Sequence, residues 1–253
     1  MKTEEQRKQE KLFRKISNKV TRTVREQNLI AENDHILVGL SGGKDSFLLL
    51  EVLAQLKKSL PEKFSLTAIH VSNKDVGYLI DIKGLEEFCK DLNIPFIHKT
   101  TITDQKKSKK STCFICSWNR RKTIFNETKA LNCNKLAFGH HRDDALQTLL
   151  MNMFYHGSIS SLPYQLKMFD GRVHLIRPLM DLWEEEINDY AVLRKYPAVK
   201  EKCPYENQTK RTFTKEILNQ INQTFPTSKR NIFHSLSNIY DEYLPIINKK
   251  SNS

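Results

Sequence analysis

The stretch His35-Ile-Leu-Val-Gly-Leu-Ser-Gly-Gly-Lys-Asp-Ser46, running on into Phe47-Leu-Leu-Leu-Glu-Val52, decides the fold. The apolar run from His35 to Leu40 has the length and composition of a short buried strand. Gly42 and Gly43 then allow a tight turn that gathers backbone N–H groups. From Lys44 onward the positions Phe47, Leu48, Leu50, Val52 and Leu53 predict a helix. A strand, a glycine turn and a helix start make an anion cradle: the N–H groups and the positive end of the helix dipole point into the turn. Lys44 adds a point charge, and Ser41 and Ser46 add hydroxyls. The loop is not a Walker A loop, which needs wider glycine spacing and Ser or Thr directly after the lysine; here Asp45 follows Lys44. A carboxylate among phosphates makes chemical sense as a Mg²⁺ ligand. Ser41, Gly42, Gly43, Lys44, Asp45 and Ser46 are therefore the candidate nucleotide-binding residues, with Asp45 also a candidate catalytic group.

The same rhythm continues on both sides. Strands are expected at Ser65–Val71, Ile94–His98, Lys135–Phe138 and Val173–Ile176. Helices are expected at Ile82–Leu92, Trp118–Leu131, from near Asp143, and at Glu184–Arg194. This alternation predicts an α/β fold, an open, mostly parallel, doubly wound sheet whose ligand loops leave the carboxyl ends of the strands. Leu12, Ile16, Val20 and Val24 mark one face of an N-terminal helix running to Ile30 and stopped by Asn33-Asp34. Two more helices are expected at Thr212–Gln223 and Lys229–Tyr240. No Pro- or Gly-rich linker separates these parts, so the expected organisation is a nucleotide-binding domain over 31–200, with a helical extension over 1–30 and a helical segment over 201–253.

Gly139-His-His-Arg-Asp-Asp-Ala-Leu-Gln-Thr148 lies at a second strand-to-helix junction that opens on the same sheet edge. Its histidines and carboxylates suit metal binding or proton transfer, which makes His140 and Asp143 candidate catalytic residues. The plainer reading makes Asp143 an N-cap. Five cysteines in a chain with no secretory signal do not read as a disulfide framework, because the number is odd and the expected compartment is reducing. Cys113-Phe-Ile-Cys116 alone is compatible with half a zinc site, a redox pair or a pair of cluster ligands. Cys203 stands apart, before Pro204. Three thiolates are too few for a structural zinc site and suit a [4Fe–4S] cluster with one iron open. Cys89 and Cys133 read as packing residues.

Lys and Arg number 41 against 29 Asp and Glu, a net charge of +12 that favours a polyanionic partner. Lys106, Lys107, Lys109 and Lys110 place part of that charge beside the Cys113–Cys116 pair. No apolar run has the length of a membrane span, and the first residues are charged throughout, so no membrane association and a cytoplasmic location are expected.

Taken together, Ser41–Ser46, Thr112–Cys116 continuing into Arg120-Arg121, Gly139–Asp144 with Gln147-Thr148, Asn152–Tyr155, Ile176-Arg-Pro-Leu179 and Cys203 resemble the tRNA 2-thiocytidine synthetase branch of the PP-loop ATPases. The resemblance spans roughly Lys11 to Pro245. It implies that the loop grips the pyrophosphate of ATP, that AMP is transferred to the C2 oxygen of a cytidine at position 32 of a tRNA anticodon loop, and that sulfur then displaces AMP. It also implies that Cys113, Cys116 and Cys203 hold a [4Fe–4S] cluster, with ATP and Mg²⁺ as the other cofactors. The implied partners are tRNA and a sulfur donor such as a cysteine desulfurase, with room for a homodimer. Lys202-Cys-Pro-Tyr-Glu-Asn-Gln208 departs from the family, which often carries a second cysteine a few residues further on. Two other readings stand beside this one. A ligase of the lysidine synthetase kind would not need the three cysteines and usually carries a larger C-terminal domain. A non-catalytic nucleic-acid-binding protein with a structural metal site would have no use for Lys44 and Asp45.

Overall fold

A computed structural model describes residues 2–75, 80–102, 112–197 and 210–245, with the backbone alone at 112 and 113. Helix α1, Glu4–Glu26, opens on a reciprocal cap in which Gln6 N–H donates to Thr3 Oγ1 and Thr3 N–H to Gln6 Oε1. It starts earlier than the apolar pattern suggests, because the cap and its acidic first turn stabilise a solvated end. It also stops sooner, at Glu26: Asn28 takes a left-handed conformation and tucks Leu29 into the core.

Strands β1 (His35–Gly39), β2 (Ser65–Asn73), β3 (Phe96–Thr101), β4 (Lys135–Ala137) and β6 (Val173–Ile176) are parallel, and β5 (Gln165–Met168) pairs antiparallel with β6. The order across the sheet is β3-β2-β1-β4-β6-β5. The expected doubly wound sheet is therefore present. The helices are α2 (Lys44–Ser59), α3 (Ile82–Asp91), α4 (Thr112–Ala130), α5 (Arg142–His156), α6 (Glu184–Arg194), α7 (Lys210–Thr224) and α8 (Ser228–Ser235). Strand β5 lacks an apolar signature because it is a short edge strand with Leu166 exposed. Helix α8 ends at Ser235 and does not continue to Tyr240, which starts a short 3₁₀ turn at Asp241–Tyr243.

Both sheet faces are covered, which explains why β1 reads as a continuous apolar run. Ile36 and Val38 face a core shared with α1, α2, α3 and α6, and Leu37 faces a second cluster with Ile69, Leu136, Ile124 and Cys133. A third, smaller cluster joins Leu146 and Leu150 of α5 to Leu218 of α7, with Trp183, Ile232 and Phe233 against it. Among the described residues no helix is long and apolar enough to cross a membrane. The chain winds outward from β1 through β2 to β3, and on the other side from β4 to β6. The β1–β4 boundary is thus the topological switch point, where open α/β sheets place their ligands.

Candidate active site

Both sequence motifs leave the sheet at that switch point, one after β1 and one after β4. In the first, Gly42 has φ +81°, a conformation that a side chain disfavours, and Gly43 caps α2 without a side-chain hydrogen bond. The hydroxyls brace the turn from within. Ser41 N–H donates to Ser46 Oγ at 3.1 Å, Gly43 N–H to Ser41 Oγ at 3.3 Å, and Ser46 Oγ donates to the Gly43 carbonyl at 2.8 Å. Lys44 Nζ lies 3.2 Å from Asp45 Oδ1 and 3.5 Å from Glu184 Oε1. Burial disfavours its charge, but these two carboxylates outweigh burial and hold its pKa above the usual lysine value. A cleft of about 540 Å³ opens beside the loop, lined by Gly42, Lys44 and Phe47 and by Asn188, Ala191 and Tyr196 from the α6 side.

The second motif is pressed against the first. A Cβ on Gly139 would lie 2.8 Å from the Asp45 carbonyl oxygen and 2.9 Å from its carbon. These are backbone atoms of the first turn of α2 and cannot step aside as a side chain would. We expect Gly139→Ala to destabilise the fold by about 1–3 kcal/mol and to weaken ATP binding with it, because relief of the clash moves the phosphate cradle. Gly157→Ala is the control. Gly157 ends α5 at φ +59° with nothing within 4 Å. That substitution should cost about 1 kcal/mol and leave nucleotide affinity alone. Urea unfolding and ATP titration of the two variants check this.

His141, not Asp143, is the N-cap residue of α5, and its N–H donates to Asp144 Oδ2 at 3.0 Å. Its ring stands among three carboxylates, 3.9 Å from Asp45, 3.8 Å from Asp143 and 3.4 Å from Asp144. Asp143 is buried and fully engaged, accepting from Glu184 N–H at 2.8 Å and from Lys229 Nζ at 3.0 Å. His140 is half-buried, and burial pushes its pKa down to about 4, so the imidazole is neutral at pH 7.

Several residues of the site carry no sequence signal. Arg211 bonds Asp144 at 2.5 Å and Gln147 at 2.8 Å, and Lys215 pairs with Glu184 at 2.8 Å. With Lys229 they bring three cations from α7 and α8 to the second motif and to the start of α6. That helix is fixed to α2 through Glu51, which accepts from Tyr190, Arg194 and Tyr196. Arg142 lies between the rings of Trp183 and Phe233, at 4.8 and 4.6 Å, and donates to Asp181 at 2.8 Å. Asp181 also accepts from Thr23 and Tyr164. Burial works against its charge, but these hydrogen bonds prevail and keep its carboxyl below the usual range. This joint ties α1 to the start of α5.

A divalent cation fits the first motif in a limited way. Asp45 Oδ1 is buried and has no hydrogen-bond partner among the described residues, although the Lys44 ammonium is near. Among those residues no three His, Cys, Asp or Glu side chains are arranged to hold a metal ion by themselves. A cation here would be shared between Asp45 and phosphate oxygens, the usual manner for Mg²⁺. For the cysteines, Cys113 and Cys116 both fall in the first turns of α4 and not in a loop ahead of it. Their spacing of three sets their backbones about one helical turn apart. Cys116 is half-buried. Asn119 of α4 donates to the Ile102 carbonyl at 2.9 Å, just past the end of β3, which places the first turns of α4 near the carboxyl ends of the parallel strands, the side from which the two loops leave. Cys203 and Lys106–Lys110 lie outside the described residues.

A family described as the PP-loop domain matches residues 4–221. The tRNA-cytidine(32) 2-sulfurtransferase of Pelobacter propionicus is 35% identical over 96% of this chain and 92% of its own length. The protein of the same name from Paraburkholderia phytofirmans is 35% identical over 92% of this chain and 71% of its own. Among solved structures, the U34-tRNA thiolase NcsA from Methanococcus maripaludis with its [4Fe–4S] cluster superposes with a TM-score of 0.76 at 25% identity, over 94% of this chain and 81% of that one.

Proposed function

The chain belongs to the tRNA-cytidine(32) 2-sulfurtransferase family of PP-loop proteins, and we propose that it thiolates a cytidine, at position 32 of the anticodon loop, in an ATP-dependent reaction. The observation that carries this reading is the backbone contact of Gly139 with Asp45, which joins two ligand loops into one site at the switch point. The first turns of the cysteine helix α4 lie near the same carboxyl side of the sheet.

In this reading the cradle of Ser41, Gly42, Gly43, Lys44 and Ser46 holds the pyrophosphate of ATP, and Asp45 holds Mg²⁺. The C2 oxygen of the cytidine attacks the α-phosphate, and pyrophosphate leaves. The oxygen is now part of a good leaving group. A sulfur nucleophile adds at C2, the C2–O bond breaks, and AMP departs with the original oxygen. The protein's contribution is charge and position. Lys44 stays cationic beside the departing pyrophosphate. His140, kept neutral by burial, adds no positive charge and is able to accept a proton. Asp143 acts through what it holds, fixing Lys229 and the first turn of α6 at the mouth of the site. When bound by Cys113, Cys116 and Cys203, a [4Fe–4S] cluster would supply an open iron at which sulfur can be presented. A cysteine desulfurase as the source of that sulfur, a cytoplasmic setting and a homodimeric assembly complete the proposal.

The test is product chemistry. The purified protein should convert ATP to AMP and pyrophosphate in a tRNA-dependent manner, and tRNA from cells lacking the gene should lose 2-thiocytidine in nucleoside mass spectrometry. Formation of ADP and phosphate, or tRNA that keeps its 2-thiocytidine, would overturn it.

A further inference from the structure

We propose that Phe114 and Trp118, in the first turns of α4, form a stacking platform for an unpaired base of the RNA substrate. The inference rests on the reading of this chain as a tRNA-modifying enzyme and adds to it a residue-level docking point. The two rings are nearly parallel, with centroids 6.5 Å apart and planes 8° from each other. Both are turned to solvent, Phe114 by 48% and Trp118 by 60%. A spacing of four sets them on one flank of the helix, and Arg121 and Lys122 extend that flank by another turn, both exposed.

A flank of aromatic faces followed by cations is the surface that single-stranded RNA recognises: bases stack on the rings and phosphates meet the charges. Trp, Phe and Arg would also suit a protein interface, but Lys122 would not, and the chain's net charge of +12 favours a polyanion. The location agrees. Cys116 falls between the two aromatics in sequence, and Asn119 of the same helix donates to the Ile102 carbonyl just past the end of β3, on the carboxyl side of the sheet from which the nucleotide loop also leaves. A base stacked here would hold the loop of the RNA beside the reactive end of the protein. Double-stranded RNA, whose bases are already stacked, would gain nothing from the rings.

The experiment uses the full chain purified with its cofactors, an unmodified anticodon stem-loop RNA and a fully paired duplex RNA of equal length. Trp118→Ala should weaken stem-loop binding about tenfold, within a range of roughly fivefold to a hundredfold for loss of one stacked base. Duplex binding and the urea midpoint should not change, because the side chain is exposed. Trp118→Phe should recover most of the affinity by restoring a π face. Replacing the loop bases one at a time by abasic sites should reveal one position whose loss weakens the parent protein as much as Trp118→Ala does. That abasic change should add nothing further in the variant.

Equal stem-loop affinity in the parent protein and Trp118→Ala overturns the platform while leaving the tRNA reading intact. So does a loss shared equally by the duplex, or a changed sedimentation coefficient without a change in RNA affinity, which would assign the face to a second copy of the chain. A parent protein that binds no stem-loop and releases no AMP with tRNA overturns both.

Discussion

Asp45→Asn should bind ATP almost as well as the parent protein and release AMP about a hundredfold more slowly, or worse. The cradle that grips the phosphates is built from the backbone around Gly42 and Gly43 and from the Ser41 and Ser46 hydroxyls, none of which this change touches. What is lost is the anionic oxygen that would hold Mg²⁺. A cation on the reacting phosphates is worth several kcal/mol in the transition state, and about 3 kcal/mol corresponds to a hundredfold in rate. Stability should not fall with activity. Asp45 Oδ1 pairs with the Lys44 ammonium at 3.2 Å, but Lys44 keeps Glu184 as its second partner, so the fold loses one partly exposed ion pair, which is worth little. The contrast is Asp143→Asn. There the carboxylate is buried against Lys229 and the Glu184 N–H, and its neutralisation leaves a half-buried ammonium without its counter-charge. Breaking such a pair costs about 3 kcal/mol or more. Single-turnover AMP release, ATP titration and urea unfolding separate the two carboxylates. An Asp45→Asn protein that turns over normally, or that unfolds as readily as Asp143→Asn, would remove Asp45 from the chemistry.

The difference between these two aspartates also marks how far the sequence could be read. The β1–turn–α2 unit is legible because every determinant is local: an apolar run, two glycines and a helix pattern within a few residues. The same holds for the β4–α5 junction, where the fold places Gly139–Asp144 opposite the first loop as expected. Asp143 and Asp144 are adjacent and look alike in sequence. Beyond the local His141 N–H on Asp144, their environments differ through Lys229, Glu184 and Arg211, which lie 41 to 86 positions away in the chain. No periodicity encodes such pairs. They arise because Leu146 and Leu150 of α5 pack against α7 and α8, which turns three cations toward the motif. Arg142 is the same case. Nothing in its sequence neighbourhood announces the clamp of Trp183, Phe233 and Asp181 that holds it. The cysteine pair was legible as a spacing but not as a helix, since Cys-Phe-Ile-Cys-Ser-Trp carries no helical face of its own, and its exposed aromatics gain nothing from a core.

Cys203→Ser should abolish most of the iron content and nearly all thiolation, although Cys203 is far along the chain from Cys113 and Cys116. In the proposed reading the protein holds a [4Fe–4S] cluster; two cysteines on one helix are too few for it, and a third thiolate would have to come from elsewhere. Two of the remaining three cysteines are poor donors. Cys89 is fully buried in the main core, where burial, with Glu86 nearby, pushes its thiol up to about 12. Cys133 packs with Leu37, Ile69 and Leu136, and burial pushes it up to about 11. Both are protonated at neutral pH and enclosed by side chains, whereas a cluster ligand must be a thiolate that iron can reach. Cys203 is what remains. The substitution Cys133→Ser should therefore keep its iron and its visible absorbance while losing about 1–2 kcal/mol of stability, because a hydroxyl replaces a thiol in an apolar cluster. ATP binding should survive in both variants, since the phosphate cradle belongs to β1 and α2 and not to α4. Anaerobic purification, iron analysis, the visible spectrum and an ATP titration read each point separately. If Cys203→Ser kept its full iron while Cys133→Ser lost it, the third ligand would be Cys133, and the apolar cluster around it would have to open to let the metal in.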